Sequence, residues 1–451
     1  MKTSVFHFID KRRLYCLFLT IALLLGVHFL LPAEYNSAER ITILVFIFAA
    51  CFWMFEIVPL FVTSLWVTLL VTFFLAKPGG ALGLDESGFK IFILSFSSPV
   101  IMLFLGGFVL ATAIRKHQVG LFLTKKFIST LGTKPISVFV GLTFLSAFFS
   151  MWLTNTAATT LMLSLFIPIV EQIDKDDPFR KALLLTICFS SSIGGIVTPI
   201  ATPANALAIG ELATQGLKVN FLGWMIETLP VAIILLIISG ALLYWFYRPK
   251  TKDLKLSFPD KVEIGRDGYM VIVIAIFVIG LWLTTAVHGI PAAMIALFGV
   301  GLFTTTRLID STDIRNLKWD TLILMWGALA LGDAVHKSGV IQHLFHISSN
   351  FSPDLTFVIF LSAVSILIST LISSTATAGL LIPIAVTLGG EWRLYLVMLI
   401  AICTSFSFAL PVSSPPNAHV YSFGELKIID MLKPGVILSV ISLIIALLFF
   451  R

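Results

Sequence analysis

Residues 150–159 read Ser-Met-Trp-Leu-Thr-Asn-Thr-Ala-Ala-Thr, and residues 369–378 read Ser-Thr-Leu-Ile-Ser-Ser-Thr-Ala-Thr-Ala. Each polar run interrupts an apolar region, 136–172 or 355–389, that is too long for one membrane span. We interpret each region as a re-entrant hairpin, because arms of about sixteen apolar residues are short for spans. The alternative is two ordinary spans and a short loop. Irregular backbone at membrane depth is tolerated only inside protein or beside a water-filled cavity, so the two tips indicate a site.

A second pair of matching segments follows the hairpins. Residues 199–206 read Pro-Ile-Ala-Thr-Pro-Ala-Asn-Ala, and residues 411–418 read Pro-Val-Ser-Ser-Pro-Pro-Asn-Ala. Proline cannot continue a helical hydrogen-bond ladder, so we expect both spans to unwind around 202–205 and 414–417. A third pair, 106–116 and 327–337, recurs in the same order, and three collinear matches indicate an internal repeat.

The composition places these segments in a membrane protein. Of the 451 residues, 58% are hydrophobic and 12% are charged, with a mean hydropathy of +1.02. These values exclude a soluble domain, a disordered chain and a nucleic-acid binder, since the basic excess is spread over loops. The predicted fold is an all-α polytopic membrane protein with eleven transmembrane helices plus two re-entrant hairpins in two inverted repeats. The predicted spans are 14–32, 41–57, 58–76, 95–115, 180–198, 225–247, 268–287, 290–306, 320–336, 393–410 and 434–450.

Parity and charge predict the arrangement in the membrane. Five spans in each repeat would turn the second copy upside down, which is typical of carriers with a central substrate site. With the N-terminus in the cytoplasm and the C-terminus outside, 23 of the 30 Lys and Arg residues fall on inner segments, as the positive-inside rule expects for an inner-membrane protein. The predicted segments are an N-terminal span within 1–40, a first repeat 41–247 with hairpin 136–172 and broken helix 180–216, a cytoplasmic linker 248–267, and a second repeat 268–451 with hairpin 355–389 and broken helix 393–424.

The interruptions offer binding groups without formal charge. Helices that begin near Ala157 and Ala376 would expose backbone N–H groups, which attract anions, while the preceding arms would end in carbonyls that suit Na⁺. No Lys, Arg, Asp or Glu lies near either tip in the sequence, so we expect a neutral pocket that takes a multivalent anion together with cations. For Asp333 and Lys337, four residues apart, we expect a local ion pair.

These tips and breaks resemble the divalent anion/sodium symporters, the INDY-type carriers of dicarboxylates, citrate and sulfate. The similar stretches are Asn155-Thr-Ala-Ala-Thr159, Leu410-Pro-Val-Ser-Ser-Pro-Pro-Asn417 and Phe55-Glu-Ile-Val-Pro-Leu60. The resemblance covers the chain from about residue 40. It implies a scaffold domain that dimerises, and a transport domain that moves as an elevator.

The resemblance also implies site residues. One sodium ion would be held by Ser150, Thr154, Asn155 and the carbonyl of Ala201, and the other by Ser369, Ser373, Ser374 and the carbonyl of Ser413. The substrate would contact Asn155, Thr156, Thr202, Pro203, Ser374, Thr375, Ser414 and Pro415. Thr154 replaces the usual Ser and keeps the hydroxyl, whereas Ser374 replaces the usual second Asn and removes a carboxamide from both sites.

The resulting prediction is a sodium-coupled carrier for a C4-dicarboxylate such as succinate, malate or fumarate. Sulfate or phosphate symport and dicarboxylate exchange remain alternatives, and we expect a homodimer in lipid, sodium as coupling ion, and neither an organic cofactor nor a nucleic-acid partner. A membrane enzyme would need a catalytic cluster at the breaks, and an anion channel would need basic rings. A proton-coupled carrier would need a buried carboxylate, for which Glu56 and Asp333 are the candidates.

Overall fold

A computed structural model describes residues 11–254, 263–340, 343 and 354–450. Every regular element in these ranges is a helix. Parts of three predicted segments lie outside the described residues. They are residues 1–10 of the N-terminal segment 1–40, residues 255–262 of the linker, and residues 341–342, 344–353 and 451 of the second repeat. The main helices of the first half are α1 (Lys11–Leu30), α2 (Ser37–Phe55), α3 (Leu60–Val71, continued as a π-helix over Thr72–Ala76), α4 (Pro99–Lys116), α5 (Val119–Ile128), α6 (Pro135–Trp152), α7 (Asn155–Glu171), α8 (Phe179–Gly194), α9 (Pro203–Thr214) and α10 (Phe221–Phe246).

The second half repeats much of this order. Its main helices are α11 (Arg266–Leu283), α12 (Ala292–Thr305), α13 (Trp319–Ser338), α14 (Leu355–Leu371), α15 (Ser374–Leu388), α16 (Arg393–Cys403), α17 (Pro415–Tyr421) and α18 (Ile428–Phe449). A helical hairpin (α6–α7 or α14–α15), an interrupted helix (α8–α9 or α16–α17) and a long helix (α10 or α18) follow one another in both halves.

Seven helices in the described part of the chain are long and apolar enough to cross a membrane. Six of them coincide with predicted spans, and the seventh is α6, the first arm of the first hairpin. The arm-length argument for re-entrance is therefore wrong for α6, whose 18 residues equal a short span. Several other predicted spans form shorter helices, including α3, α8, α12 and α16.

The hairpin tips form where the sequence predicts polar interruptions. In the first tip, Leu153 and Thr154 adopt extended backbone angles between α6 and α7. In the second tip, Ile372 and Ser373 separate α14 from α15. The second helix of each hairpin begins two residues earlier than expected, because Thr154 and Ser373 already occupy the N-cap position.

The interruptions of α8–α9 and α16–α17 lie before the predicted position. The unwound links span 195–202 and 404–414, and the next helices begin at Pro203 and Pro415. The prolines therefore start the second helix instead of ending the first. This placement has a physical reason, since the first helical position needs no N–H donor and suits the fixed φ of proline.

The helices pack as two groups. Helices α2, α3, α4, α11, α12 and α13 form what we call the α13 group, with α13 against α3 and α12 against α4. Helices α6–α10 and α14–α18 form the hairpin group, with α6 against α8 and α15 against α16. Two helices of the hairpin group, α9 and α15, also pack against α13. Most of the contact between the groups therefore passes through α9 and α15, which start at a break and at a tip.

Candidate functional site

A pocket of about 470 Å³ lies where the two groups meet, and we call it the central pocket. Its volume suits a small molecule. Both hairpin tips and the ends of both unwound links line it. All eight residues predicted to contact substrate are on its wall, namely Asn155, Thr156, Thr202, Pro203, Ser374, Thr375, Ser414 and Pro415.

Helix starts dominate the wall formed by the hairpin group. Helices α7, α9 and α15, of 17, 12 and 15 residues, begin at Asn155, Pro203 and Ser374, which line the pocket. Each such end carries unpaired N–H groups and a partial positive charge. Thr154 Oγ1 accepts one of these donors from Ala157 N at 3.3 Å, whereas Ser373 makes no side-chain cap hydrogen bond. The arrangement can hold an anion without a basic side chain at the tips.

The first tip is fastened to the first broken helix through Asn155. Ser150 Oγ lies 2.9 Å from Asn155 Oδ1 and 2.6 Å from the carbonyl oxygen of Ser191. A hydroxyl has one proton, so it can serve only one of these two acceptors. A Cβ added at Gly195 would lie 2.0 Å from Asn155 Oδ1, so the carboxamide occupies space that only glycine leaves free.

The second tip repeats part of this pattern. Ser369 Oγ donates to the carbonyl oxygen of Thr404 at 2.5 Å, as Ser150 does to that of Ser191. In the link, Ser413 Oγ lies 2.6 Å from each of the carbonyl oxygens of Ser407 and Leu410. Again one hydroxyl proton faces two acceptors, and such a surplus of neutral oxygen atoms suits a hard cation.

The residues predicted to hold sodium divide into two sets. Five of them line the central pocket, namely Thr154, Asn155, Ala201, Ser373 and Ser374. The other three, Ser150, Ser369 and Ser413, have no measurable solvent exposure and lie behind the wall. Together the eight residues offer hydroxyl, carboxamide and carbonyl oxygens, which are suitable ligands for Na⁺. Their roles in sodium binding remain predictions.

Two asparagines, Asn205 and Asn417, hold the unwound links and were not predicted as site residues. Asn205 Nδ2 donates to the carbonyls of Gly195 and Thr198 at 2.9 and 2.8 Å. Asn417 Nδ2 donates to the carbonyl of Leu410 at 3.0 Å and to Ser413 Oγ at 3.0 Å. The Oδ1 atoms of both asparagines are buried without a hydrogen-bond partner. The signal for this role was present in the sequence, because both asparagines follow a proline pair at the same spacing.

The α13 group supplies the opposite wall and carries charge. Lys318 and Asp320, at the start of α13, line the central pocket together with Pro59 and Leu60 before and within α3. The expectation that no charged side chain lies near the tips is therefore wrong, because the packing of α13 brings a distant segment to them, although one Lys and one Asp leave the formal charge of the wall at zero. Nothing in the local sequence around Lys318 predicts this contact.

The predicted intramembrane carboxylates also differ from expectation. Glu56 is exposed, has a left-handed backbone with φ 45°, and lines a separate cavity together with Ser373 and His419. Asp333, expected to pair with Lys337, instead accepts a hydrogen bond from Ser95 Oγ at 2.7 Å. Glu211 on α9, whose exposure is 2%, is a further carboxylate in a helix and was not predicted as a candidate.

Helices are the regular elements of the described ranges, and several of them have membrane length. This architecture, with a pocket built from the ends of interrupted helices, is typical of membrane transporters. The profile of the family described as "Sodium:sulfate symporter transmembrane region" matches residues 11–451. The chain therefore belongs to this family, in agreement with the predicted divalent anion/sodium symporters.

Individual relatives agree with this assignment. An uncharacterized transporter of Methanocaldococcus jannaschii is 32% identical over 413 residues, covering 89% of this chain and 90% of the relative. A sodium-dependent dicarboxylate transporter, SdcS, of Staphylococcus saprophyticus is 27% identical over 469 residues, covering 92% of this chain and 86% of the relative. The crystal structure of the Alcanivorax borkumensis YdaH transporter has a TM-score of 0.58 at 16% identity, with 87% of this chain and 97% of that chain covered, and supports the fold.

Proposed function

We propose that this protein carries a C4-dicarboxylate of the succinate, malate and fumarate class across the membrane together with sodium ions. The observation that carries the proposal is that α7, α9 and α15 all begin at one pocket. Three helix N-termini can share the two carboxylates of such an anion, while the surplus oxygens at Ser150 and Ser413 take the coupling cations. The sodium-dependent dicarboxylate transporter SdcS, a relative over most of its length, supports this substrate class.

We further propose that the two halves are inverted repeats and that transport is an elevator movement. In this proposal the hairpins are re-entrant, the hairpin group moves, and the α13 group is the scaffold of a homodimer with its N-terminus in the cytoplasm. The position of the central pocket between the groups supports it, because relative movement would open the pocket alternately to either side.

Sulfate is the second candidate substrate. The name of the family supports it, and so does Ser374, whose short side chain leaves more room than the usual asparagine. A smaller tetrahedral oxyanion would fill less of the pocket than a C4-dicarboxylate does.

The deciding experiment is uptake into proteoliposomes containing the purified full-length chain. Labelled succinate, citrate, sulfate and phosphate are compared with and without an inward sodium gradient. We expect sodium-dependent uptake of succinate that unlabelled malate and fumarate inhibit. Uptake that is indifferent to sodium would contradict the coupling, and uptake of sulfate without succinate would transfer the proposal to the second substrate.

A further inference from the structure

Glu211 is a carboxylate buried at the contact between the two helix groups. It lies on α9, and its side chain is 3% exposed. A Cβ added at Gly332 on α13 would lie 2.0 Å from Glu211 Oε1. The carboxylate of the hairpin group therefore fits against bare backbone of the α13 group, in space that a larger residue at 332 would fill.

The basic group that faces Glu211 is His336, one turn further along α13. His336 Nε2 lies 3.5 Å from Glu211 Oε2, and both atoms are buried without a hydrogen-bond partner. The neighbouring Asp333 accepts a hydrogen bond from Ser95, and Lys337 follows His336 on the same helix. The hydroxyl of Ser95 thus serves Asp333, and Glu211 Oε2 has no hydrogen-bond donor among the described residues.

The other helices packed against α9 carry few charges. On α4, Arg115 and Lys116 are at the far end, because Gly210 contacts the first turn of α4 at Val100. Helix α15 has no titratable side chain, and α16 carries Arg393, Tyr395 and the buried Cys403. Glu211 and His336 therefore form a titratable pair across this contact, with Asp333 about one turn before His336 on α13.

Such a pair is neutral overall only when it holds one proton. With the proton on imidazole, it is an ion pair; with the proton on the carboxyl group, both partners are uncharged. Without the proton, a bare carboxylate remains buried beside neutral imidazole, which is strongly unfavourable. Proton binding is thus linked to the contact between α9 and α13.

We propose that Glu211 and His336 form a proton-binding site, and that the proton is bound while α9 packs against α13 and released when the hairpin group moves. The inference rests on the proposed movement of that group, and it adds a proton to the sodium ions on which transport depends. The transported anion does not contact this pair, since neither residue lines the central pocket.

A second His–Glu contact in the protein supplies a matched control. His343 Nδ1 lies 3.4 Å from Glu39 Oε1. Glu39, however, also accepts a hydrogen bond from Asn36 N at 2.6 Å in the capping box of α2. It belongs to the α13 group alone, and glutamine can replace glutamate in a capping box. Glu39→Gln should therefore leave the dependence of transport on pH unchanged.

The experiment measures initial uptake of labelled succinate, or of labelled sulfate if succinate is not taken up, in proteoliposomes between about pH 5.5 and 8.5 under a constant sodium gradient. For the unmodified chain we expect a one-proton dependence, about tenfold per pH unit on its steep limb. Glu211→Gln should reduce the change across the range to about twofold or less while keeping the sodium requirement. His336→Gln leaves the carboxylate as the proton-binding group, so it should shift the pH profile without abolishing it. Profiles of both variants that superimpose on that of the unmodified chain would overturn the proton site.

A second measurement tests the proton site without transport. It is needed if no anion is taken up, a result that would contradict the proposed function but not the proton site. The melting temperatures of the detergent-purified chain and of Glu211→Gln are compared across the same pH range. Because glutamine never becomes a buried charge, the variant should gain stability relative to the unmodified chain as the pH rises, whereas Glu39→Gln should not. A difference that does not change with pH would contradict proton binding.

Discussion

At the scale of single residues, the two tips are unequal. Asn155 reaches the broken helix through Ser150 and fits against Gly195, whereas the corresponding Ser374 is too short to make both contacts. An asparagine amide supplies two donors and a serine hydroxyl one. The first tip should therefore contribute more to substrate and cation binding than the second.

Gly195→Ala should weaken binding at the first tip by displacing the side chain of Asn155. The added methyl group would displace the carboxamide that lies 2.0 Å from it, so sodium dependence and substrate affinity should weaken together. Loss of one hydrogen bond to a charged group, about 1.5–3 kcal/mol, corresponds to roughly tenfold or more in affinity. Gly280→Ala is the control, because nothing lies within 4 Å of a Cβ there. Unchanged half-saturation for sodium and substrate in Gly195→Ala would show that Asn155 does not bind either ion.

Ser374→Asn tests the substrate preference of the second tip. If the native pocket is a dicarboxylate site that lacks one carboxamide, the variant should bind succinate more tightly relative to sulfate, by about tenfold for one added hydrogen bond. Competition of labelled uptake by succinate and by sulfate measures this ratio in both proteins. A ratio that stays constant means that residue 374 does not face the substrate, and lower activity on every anion favours the smaller oxyanion.

At the scale of elements, the unwound links persist because side chains replace the missing helical donors. Asn205 donates to the carbonyls of Gly195 and Thr198 in the first link, and Asn417 donates to the carbonyl of Leu410 in the second. A buried polar group left without a partner costs about 1–3 kcal/mol. Each link is therefore a defined structure, which explains how helix ends can be held at the pocket.

Asn205→Ala should lower the melting temperature more than a lost helix cap does. It removes a donor from two buried carbonyls, of which that of Thr198 keeps Ala201 N as a donor, for a cost of about 2 kcal/mol, whereas Asn220→Ala removes the exposed cap of α10 for about 1 kcal/mol. Thermal unfolding of both variants in the same detergent measures the difference. An equal effect of the two substitutions would mean that the first link does not depend on Asn205.

Asp177 plays a comparable part in the loop between α7 and α8. Burial alone would raise the pKa of Asp177, but hydrogen bonds from Phe179, Thr251 and Lys250 outweigh it and hold the pKa below its usual value of 3.8. The folded state therefore binds this proton less readily than the unfolded chain does. The stabilisation is complete at neutral pH and is lost as the pH falls below about 4.

We accordingly expect Asp177→Asn to melt at a lower temperature than the unmodified chain at pH 7, because the amide accepts fewer and weaker hydrogen bonds. The difference should shrink toward about pH 3, where the native carboxylate also becomes protonated. Melting curves of both proteins at the two pH values provide the measurement. A difference that grows on acidification would be incompatible with this sign.

At the scale of the whole molecule, orientation in the membrane follows from the distribution of basic residues. The stretch 248–267 is rich in Lys and Arg and is predicted to be cytoplasmic, whereas Lys218, between α9 and α10, is predicted to be outside. Exposed positions are available in both segments, since Lys252 and Lys218 are solvent-accessible.

Lys218→Cys should react with an impermeant thiol reagent in whole cells, and Lys252→Cys should react only after the membrane is opened. The native Cys51, Cys188 and Cys403 are buried, and Cys16→Ser removes the partly accessible thiol from the background. Labelling of Lys252→Cys from outside would reverse the predicted orientation, although it would leave the fold and the central pocket unaffected.

The sequence by itself was sufficient for the features that depend on neighbouring residues. Short polar runs inside apolar regions predicted interruptions at 154–156 and 373–375, and the helices are in fact separated at 153–154 and 372–373. Paired prolines predicted that α8–α9 and α16–α17 are interrupted. These features are local, because helix caps, proline and apolar length act over a few residues. The links were predicted several residues too far along the chain, because proline is tolerated at the first position of a helix and here starts the second helix of each pair.

Tertiary structure alone decided what the tips face. Lys318 is separated from Asn155 by more than 160 residues, and Glu211 from His336 by 125, so no local pattern connects them. Lys318 reaches the pocket that Asn155 lines, and His336 reaches Glu211, because α9 and α15 pack against α13. That packing depends on complementary surfaces, such as the bare backbone at Gly332 beside the carboxylate of Glu211. The charge of the pocket wall and the proposed proton site are therefore properties of the packed helices, since a sequence records which side chains are available but not which of them meet.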